Sequence, residues 1–140
     1  MHPGESTSIV GDAYGESPEN ESCRRTRPGG YRAAHELFAS YPEATAAFVA
    51  NDLSALGVMA AATDSGLNVP TDFSVIGYDG MALASLRTLN LTTIQQPLVE
   101  MGRLAVAQLL ARISTPNIPN VSVQVDSKLH LAGTCAPPRK

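Results

Sequence analysis

At 140 residues, 44% of them hydrophobic and 16% charged, the chain has enough apolar material for one folded domain and too much for a disordered one. A formal net charge of −3 gives little long-range attraction for nucleic acid, and no apolar stretch reaches the roughly 20 residues that span a bilayer. Cys23 and Cys135 stand outside any CxxC or Cys/His spacing and read as free thiols.

The first stretch, MHPGESTSIVGDAYGE, has neither a basic start nor an apolar core, so no signal peptide is visible and a cytoplasmic location is expected. Residues 1–28 are expected to form a poorly ordered arm. Ile9-Val10 is their one aliphatic pair, with room for a short strand at Ser8–Val10. The basic run Arg24-Arg25-Thr26-Arg27 is short and reads as solvated loop.

Order is expected from about Gly30. Tyr31, Ala34, Leu37, Phe38 and Tyr41 recur at helical spacing, and Pro42 ends that helix. Then Thr45–Gly80 reads apolar run, Asn-Asp, helical pattern, Gly, Val-Pro, apolar run, Asp-Gly. A change of period from strand to helix and back marks a strand–helix–strand unit with a parallel sheet. The strands are expected at Ala46–Ala50 and Ser74–Tyr78. The helix between them is expected to be capped by Asp52 and stopped by Gly66. MALASLRTLN follows as a short helix or irregular turn, and Thr92–Ile94 is a third β-branched run. Pro97 sits at the first turn of a long helix with Leu98, Met101, Ala105 and Leu109 on one face, widened by Leu104 and Leu110. Two alternating segments close the pattern: Val121, Val123, Val125, and then Leu129, Leu131.

Polar residues fall at the carboxyl ends of both strands of the unit, the edge where open parallel sheets bind ligands. Asp79, followed by Gly80, can accept two hydroxyl hydrogen bonds from a ligand, or can simply cap the next turn. Asn51 and Asp52 are adjacent and must differ in role: Asp52 as the helix cap, Asn51 with its amide turned to the crevice. An amide and a carboxylate on neighbouring strand ends suit a polyhydroxylated ligand better than an anion. Met81, Leu83 and Leu86 serve either local packing or an oligomer interface. Catalytic signals are absent. His2, His35 and His130 share no metal spacing, and no G-x-S-x-G, P-loop or G-x-G-x-x-G occurs, so no catalytic residue, metal or cofactor is expected.

FVANDLSALGVMAAATDSGLNVPTDFSVIGYDG, then LNLTTIQQPLVEMGRLAVAQLL and LHLAGT, closely resembles the carboxyl-terminal half of the effector-binding domain of LacI/GalR bacterial transcription regulators. The resemblance covers about Gly29 to Pro137, and its motifs AND-x-x-ALG, GL-x-VP-x-D-x-SVIGYD and LTTI-x-Q occur in order. It implies an incomplete α/β, parallel-sheet subdomain of the periplasmic-binding-protein-like (type I) fold. The chain then divides into the arm 1–28, an effector-binding and dimerisation domain 29–137, and a tail 138–140. It implies effector contact by Asp79 and Asn51, a supporting role for Asp52, and a homodimer interface involving Met81, Leu83 and Leu86. The implied partners are a sugar-like small molecule and operator DNA, the latter only through a helix-turn-helix absent from this chain; no membrane partner is implied.

The pattern also departs from the family. Residues 1–28 carry none of the first subdomain's features, so its arginine and aromatic ligand contacts are not assigned to Arg24, Arg25, Arg27 or Tyr14. Ala132 stands where a basic residue is common. The helix after Pro97 normally packs on the other subdomain, so here it is expected either to self-associate or to pack on its own sheet. With half a cleft, the chain is expected to bind effector weakly by itself. A sugar-binding receptor of a transport system is the alternative reading. A small enzyme using Asp79 as acid or base is a third, with no partner nucleophile to support it.

Overall fold

The structure, a computed structural model, describes residues 25–138. Helix α1 spans Arg27–Ser40, and Thr26 caps it through an Oγ1 that accepts from the Gly29 amide at 3.2 Å. Pro28 lies in the first turn, where its missing N–H costs nothing. The helix therefore begins four residues before the expected Tyr31, because the cap and the proline act before the apolar periodicity does. Arg25 and Arg27 of the basic run fall at this helix start. The Ser8–Val10 segment, Tyr14, Arg24, Cys23 and His2 lie outside the described residues.

Strand β1 (Ala46–Phe48), helix α2 (Asp52–Asp64) and strand β2 (Ser74–Asp79) form the expected unit. A 3-10 turn at Ala82–Ser85 leads to β3 (Thr92–Gln95), helix α3 (Leu98–Ser114) and β4 (Lys128–His130). The sheet order is β1-β2-β3-β4, with β1, β2 and β3 parallel and β4 antiparallel. α2 ends as its sequence indicated. Gly66 takes a φ of +76°, while the Leu67 amide donates to Ala62 and the Gly66 amide to Thr63, closing the last turn.

The alternation Val121, Val123, Val125 does not become a strand; only the Leu129 segment pairs, against β3. Alternation needs a neighbouring strand edge, and β4 takes the free edge of β3. After β4 the chain crosses the sheet. Thr134 Oγ1 accepts from the Thr92 amide at 2.9 Å and donates to the Val75 carbonyl at 2.7 Å, stitching β2 to β3.

The core lies between one sheet face and the α1/α2 pair: Ala34, Ala55, Val58, Ala61, Phe73, Val75, Ala84 and Leu91 are buried, with Phe38 edge-on to Phe73 at 5.1 Å. The two helices touch backbone to backbone. A Cβ at Gly30 would strike Ser54 and one at Gly57 would strike Arg27, so the crossing requires glycine on both helices. The register places Phe48, Ile76, Ile94 and Leu129 together on the opposite face, where Phe48 and Leu129 are exposed. α3 buries none of its residues. It does not pack on its own sheet, and Leu98, Val99, Val106, Leu109, Leu110 and Ile113 stand in solvent. Among the described residues no helix is long and apolar enough to cross a membrane.

Candidate functional site

Because β1, β2 and β3 run parallel, their carboxyl ends share one edge, and the residues just beyond them converge there. Asn51 lies beyond β1, Asp79 ends β2, Gln95 ends β3 and Gln96 follows it. Asp79 pairs across the ladder with Gln95, and its Oδ1 accepts from Gln96 Nε2 at 2.7 Å. The residue is half-buried at this edge.

Asp79 has a φ of 112°. A side chain is rarely found there, at a cost on the order of 1–3 kcal/mol, and such residues concentrate at ligand sites. The reading of Asp79 as a plain turn cap gains nothing from the geometry: the recorded partner of its carboxylate is a side-chain amide, not the amides of the following turn.

The roles expected of Asn51 and Asp52 are exchanged in part. Asn51 is the cap of α2: its Oδ1 accepts from the Ser54 amide at 2.8 Å, and the residue is 5% exposed. Asp52 is the first residue of the helix, fully buried, and points away from the helix end into the sheet. One of its oxygens accepts from the Met81 amide at 2.7 Å and the other from Thr93 Oγ1 at 2.5 Å. The expected cap therefore became a bridge between three elements. The reason is the sheet beneath: Gly77 has no Cβ, and an added one would overlap Asp52 Oδ1. Asn51 consequently does not turn its whole amide to the crevice. Its oxygen is committed to the cap, and only the Nδ2 group is left to donate.

Gln96, Thr93 and Gly77 were not singled out from the sequence as site residues. The signal was present, since Gln96 and Thr93 lie in LTTI-x-Q and Gly77 in SVIGYD, but spacing alone does not say which side chains meet. Met81 and Leu86 are exposed and Leu83 is half-exposed. His35 is exposed and stacks edge-on with Tyr31 at 4.6 Å; His130 is exposed on β4. Among the described residues no cluster of His, Cys, Asp or Glu could hold a metal. The site offers acceptors and amide donors, which is equipment for binding hydroxyls.

A family model described as a periplasmic binding protein-like domain matches residues 10–135. The HTH-type transcriptional repressor PurR of Pectobacterium carotovorum subsp. carotovorum (strain PC1) is 45% identical over 86 residues, 61% of this chain and 25% of that protein. A LacI-family transcriptional regulatory protein from Corynebacterium glutamicum superposes with a TM-score of 0.69 at 38% identity, covering 80% of this chain and 43% of that one. A LacI family transcriptional regulator from Enterococcus faecium, with bound ribose, superposes with a TM-score of 0.71 at 31% identity, covering 82% and 42%. The chain thus spans about a quarter of the curated relative and under half of the solved neighbours. With its mostly parallel α/β sheet, the chain belongs to the periplasmic-binding-protein-like family, as part of an effector-binding domain of the LacI type.

Proposed function

We propose that the chain is the carboxyl-terminal part of the effector-sensing and dimerisation region of a cytoplasmic LacI-type transcription regulator, responding to a sugar or similar small polar metabolite. The observation that carries this reading is Asp79, a half-buried carboxylate at the strand edge in a strained conformation, braced by Gln96. Asp79 is the main ligand contact, and Asn51 donates a second hydrogen bond through Nδ2. The ribose bound to the E. faecium neighbour gives the ligand class its support. The chemistry proposed at the edge is binding rather than catalysis, in keeping with relatives that are transcriptional repressors.

In a regulator of the neighbours' length, a second subdomain supplies the other wall of the cleft and covers α3. Met81, Leu83 and Leu86 contribute to a homodimer, and operator DNA is met only through a helix-turn-helix outside this chain. Ligand then changes operator affinity only by its differential affinity for two cleft geometries. With one wall present, ribose should bind this chain only weakly. Calorimetry is expected to show a dissociation constant of about 1 mM or weaker, near −4 kcal/mol, with the heat lost in Asp79→Ala. Submicromolar binding, or unchanged binding by Asp79→Ala, would reject the reading.

A further inference from the structure

We infer that Asp52 is a positioning residue: through the Met81 amide it holds the Asp79-Gly80 turn in its left-handed geometry, and so fixes where the ligand-side carboxylate sits. The inference rests on the reading of Asp79 as the ligand contact and adds the device that aims it. Asp79 and Gly80 have φ values of 112° and 70°, two successive residues that turn the chain sharply off the end of β2. A strained residue keeps its conformation only where its surroundings over-determine it. Upstream, Asp79 is held by the ladder to β3 and by Gln96. Downstream, the first fixed point after the turn is the Met81 amide, held by Asp52 Oδ2 at 2.7 Å.

Asp52 is suited to act as that fixed point. It is fully buried, it opens α2, and its other oxygen is tied to Thr93 Oγ1 at 2.5 Å on β3. It lies in the space left by Gly77, so its carboxylate has no room to swing. The two donors reach different oxygens of the carboxylate, and an amide in its place would set its NH2 group against one of them. Hydrogen bonds to an ionised acceptor are also about twice as strong as neutral ones. A second consequence follows from chain connectivity. Asn51 is the neighbour of Asp52, so one residue links both candidate ligand contacts: Asn51 through the backbone, Asp79 through Met81. The separation of the two contacts is thereby set by Asp52 rather than by either contact itself.

The test needs no ligand. NMR on the labelled chain reads the HN–Hα coupling of Asp79, which is small at its φ of 112° and large in extended backbone, together with exchange of the Met81 amide. In Asp52→Ala the coupling should rise and Met81 should exchange roughly ten- to a hundredfold faster, as expected for losing a hydrogen bond to a charged group. Thr93→Val removes the other partner and serves as the structural control. It should lower Tm while leaving the Asp79 coupling and Met81 protection as in the unaltered chain. If Asp52→Ala does not fold, Asp52→Asn, which keeps one acceptor, should retain the coupling with Met81 exchanging several-fold faster, about what a weaker acceptor costs. Unchanged coupling and protection in Asp52→Ala, native Met81 protection in Asp52→Asn, or the same changes in Thr93→Val would overturn the inference. A ribose titration of the unaltered chain judges the ligand reading separately: silence there, with the couplings as expected, rejects the ligand and leaves the positioning intact.

Discussion

Helices α2 and α3 draw on the same palette of alanine, leucine, valine and methionine, yet they end in opposite environments. Within Asp52–Asp64, seven residues are buried, including Ala55, Val58, Ala61 and the polar Asp52 and Ser54. Within Leu98–Ser114 none is, although that helix carries the larger apolar side chains. The difference is topological. α2 is the crossover between two paired parallel strands, so its ends are fixed over the sheet it must cover. α3 leaves from β3 and reaches β4 only through the long stretch 115–127, and because β4 runs antiparallel to β3 the helix is not a crossover held over the sheet face. Hydropathy marks a face that needs cover; connectivity decides whether the same chain supplies it.

The largest expected effect sets a charge into each helix. Val58→Asp puts a carboxylate at a site 5% exposed with no partner prepared for it, and should abolish the cooperative thermal transition. Ile113→Asp, at a site 67% exposed, should change stability by no more than about 0.5 kcal/mol in urea unfolding. Equal losses at both sites would mean that α3 is covered in solution.

A finer contrast uses glycine. Gly57→Ala brings a methyl onto the backbone of α1 at Arg27 and should cost about 1–3 kcal/mol. Gly102→Ala meets nothing within 4 Å and should stabilise by up to about 1 kcal/mol through helix propensity alone. The sign change between two identical substitutions, read from urea midpoints, is the diagnostic.

The smallest effect is electrostatic. On α3, Arg103 donates to Glu100 from both Nε, at 3.0 Å, and Nη2, at 2.6 Å, and this hydrogen bonding, with the charge attraction, lowers the Glu100 pKa. A carboxylate whose folded pKa is depressed adds stability above its unfolded pKa and loses it as pH falls through the folded value. Both side chains are exposed, so water and salt screen the pair. Arg103→Ala should return the Glu100 titration, followed by carboxyl NMR shifts, to the ordinary glutamate range without a visible change in Tm.

Much of this was legible in the sequence, for identifiable reasons. The strand–helix–strand unit was readable because a short apolar run, a longer alanine-rich run, a glycine stop and a second apolar run follow one another in order. The position of Asp79 at the carboxyl end of β2 was readable because an apolar strand run stops at Asp-Gly. The exchange between Asn51 and Asp52 was not. Two adjacent polar residues at a helix start are equivalent candidates until the sheet beneath is known, and the deciding feature was a missing Cβ at Gly77, on the next strand of the chain. Val121–Val125 misled because alternation reports a strand-competent segment without reporting a free edge to pair with. The exposed stripe of α3 was visible as a pattern, while its lack of cover followed only from the topology.

We propose the shared edge of β1, β2 and β3 as a ligand wall with Asp79 as its principal contact. The most direct measurement is an amide- and side-chain-resolved NMR titration of the chain with ribose. The account predicts saturable shifts concentrated at Asn51 Nδ2, Asp79, Gly80 and the Gln96 side chain, and their disappearance in Asp79→Ala. Shifts centred on α3 or on the open sheet face around Phe48, with that edge unmoved, would contradict it.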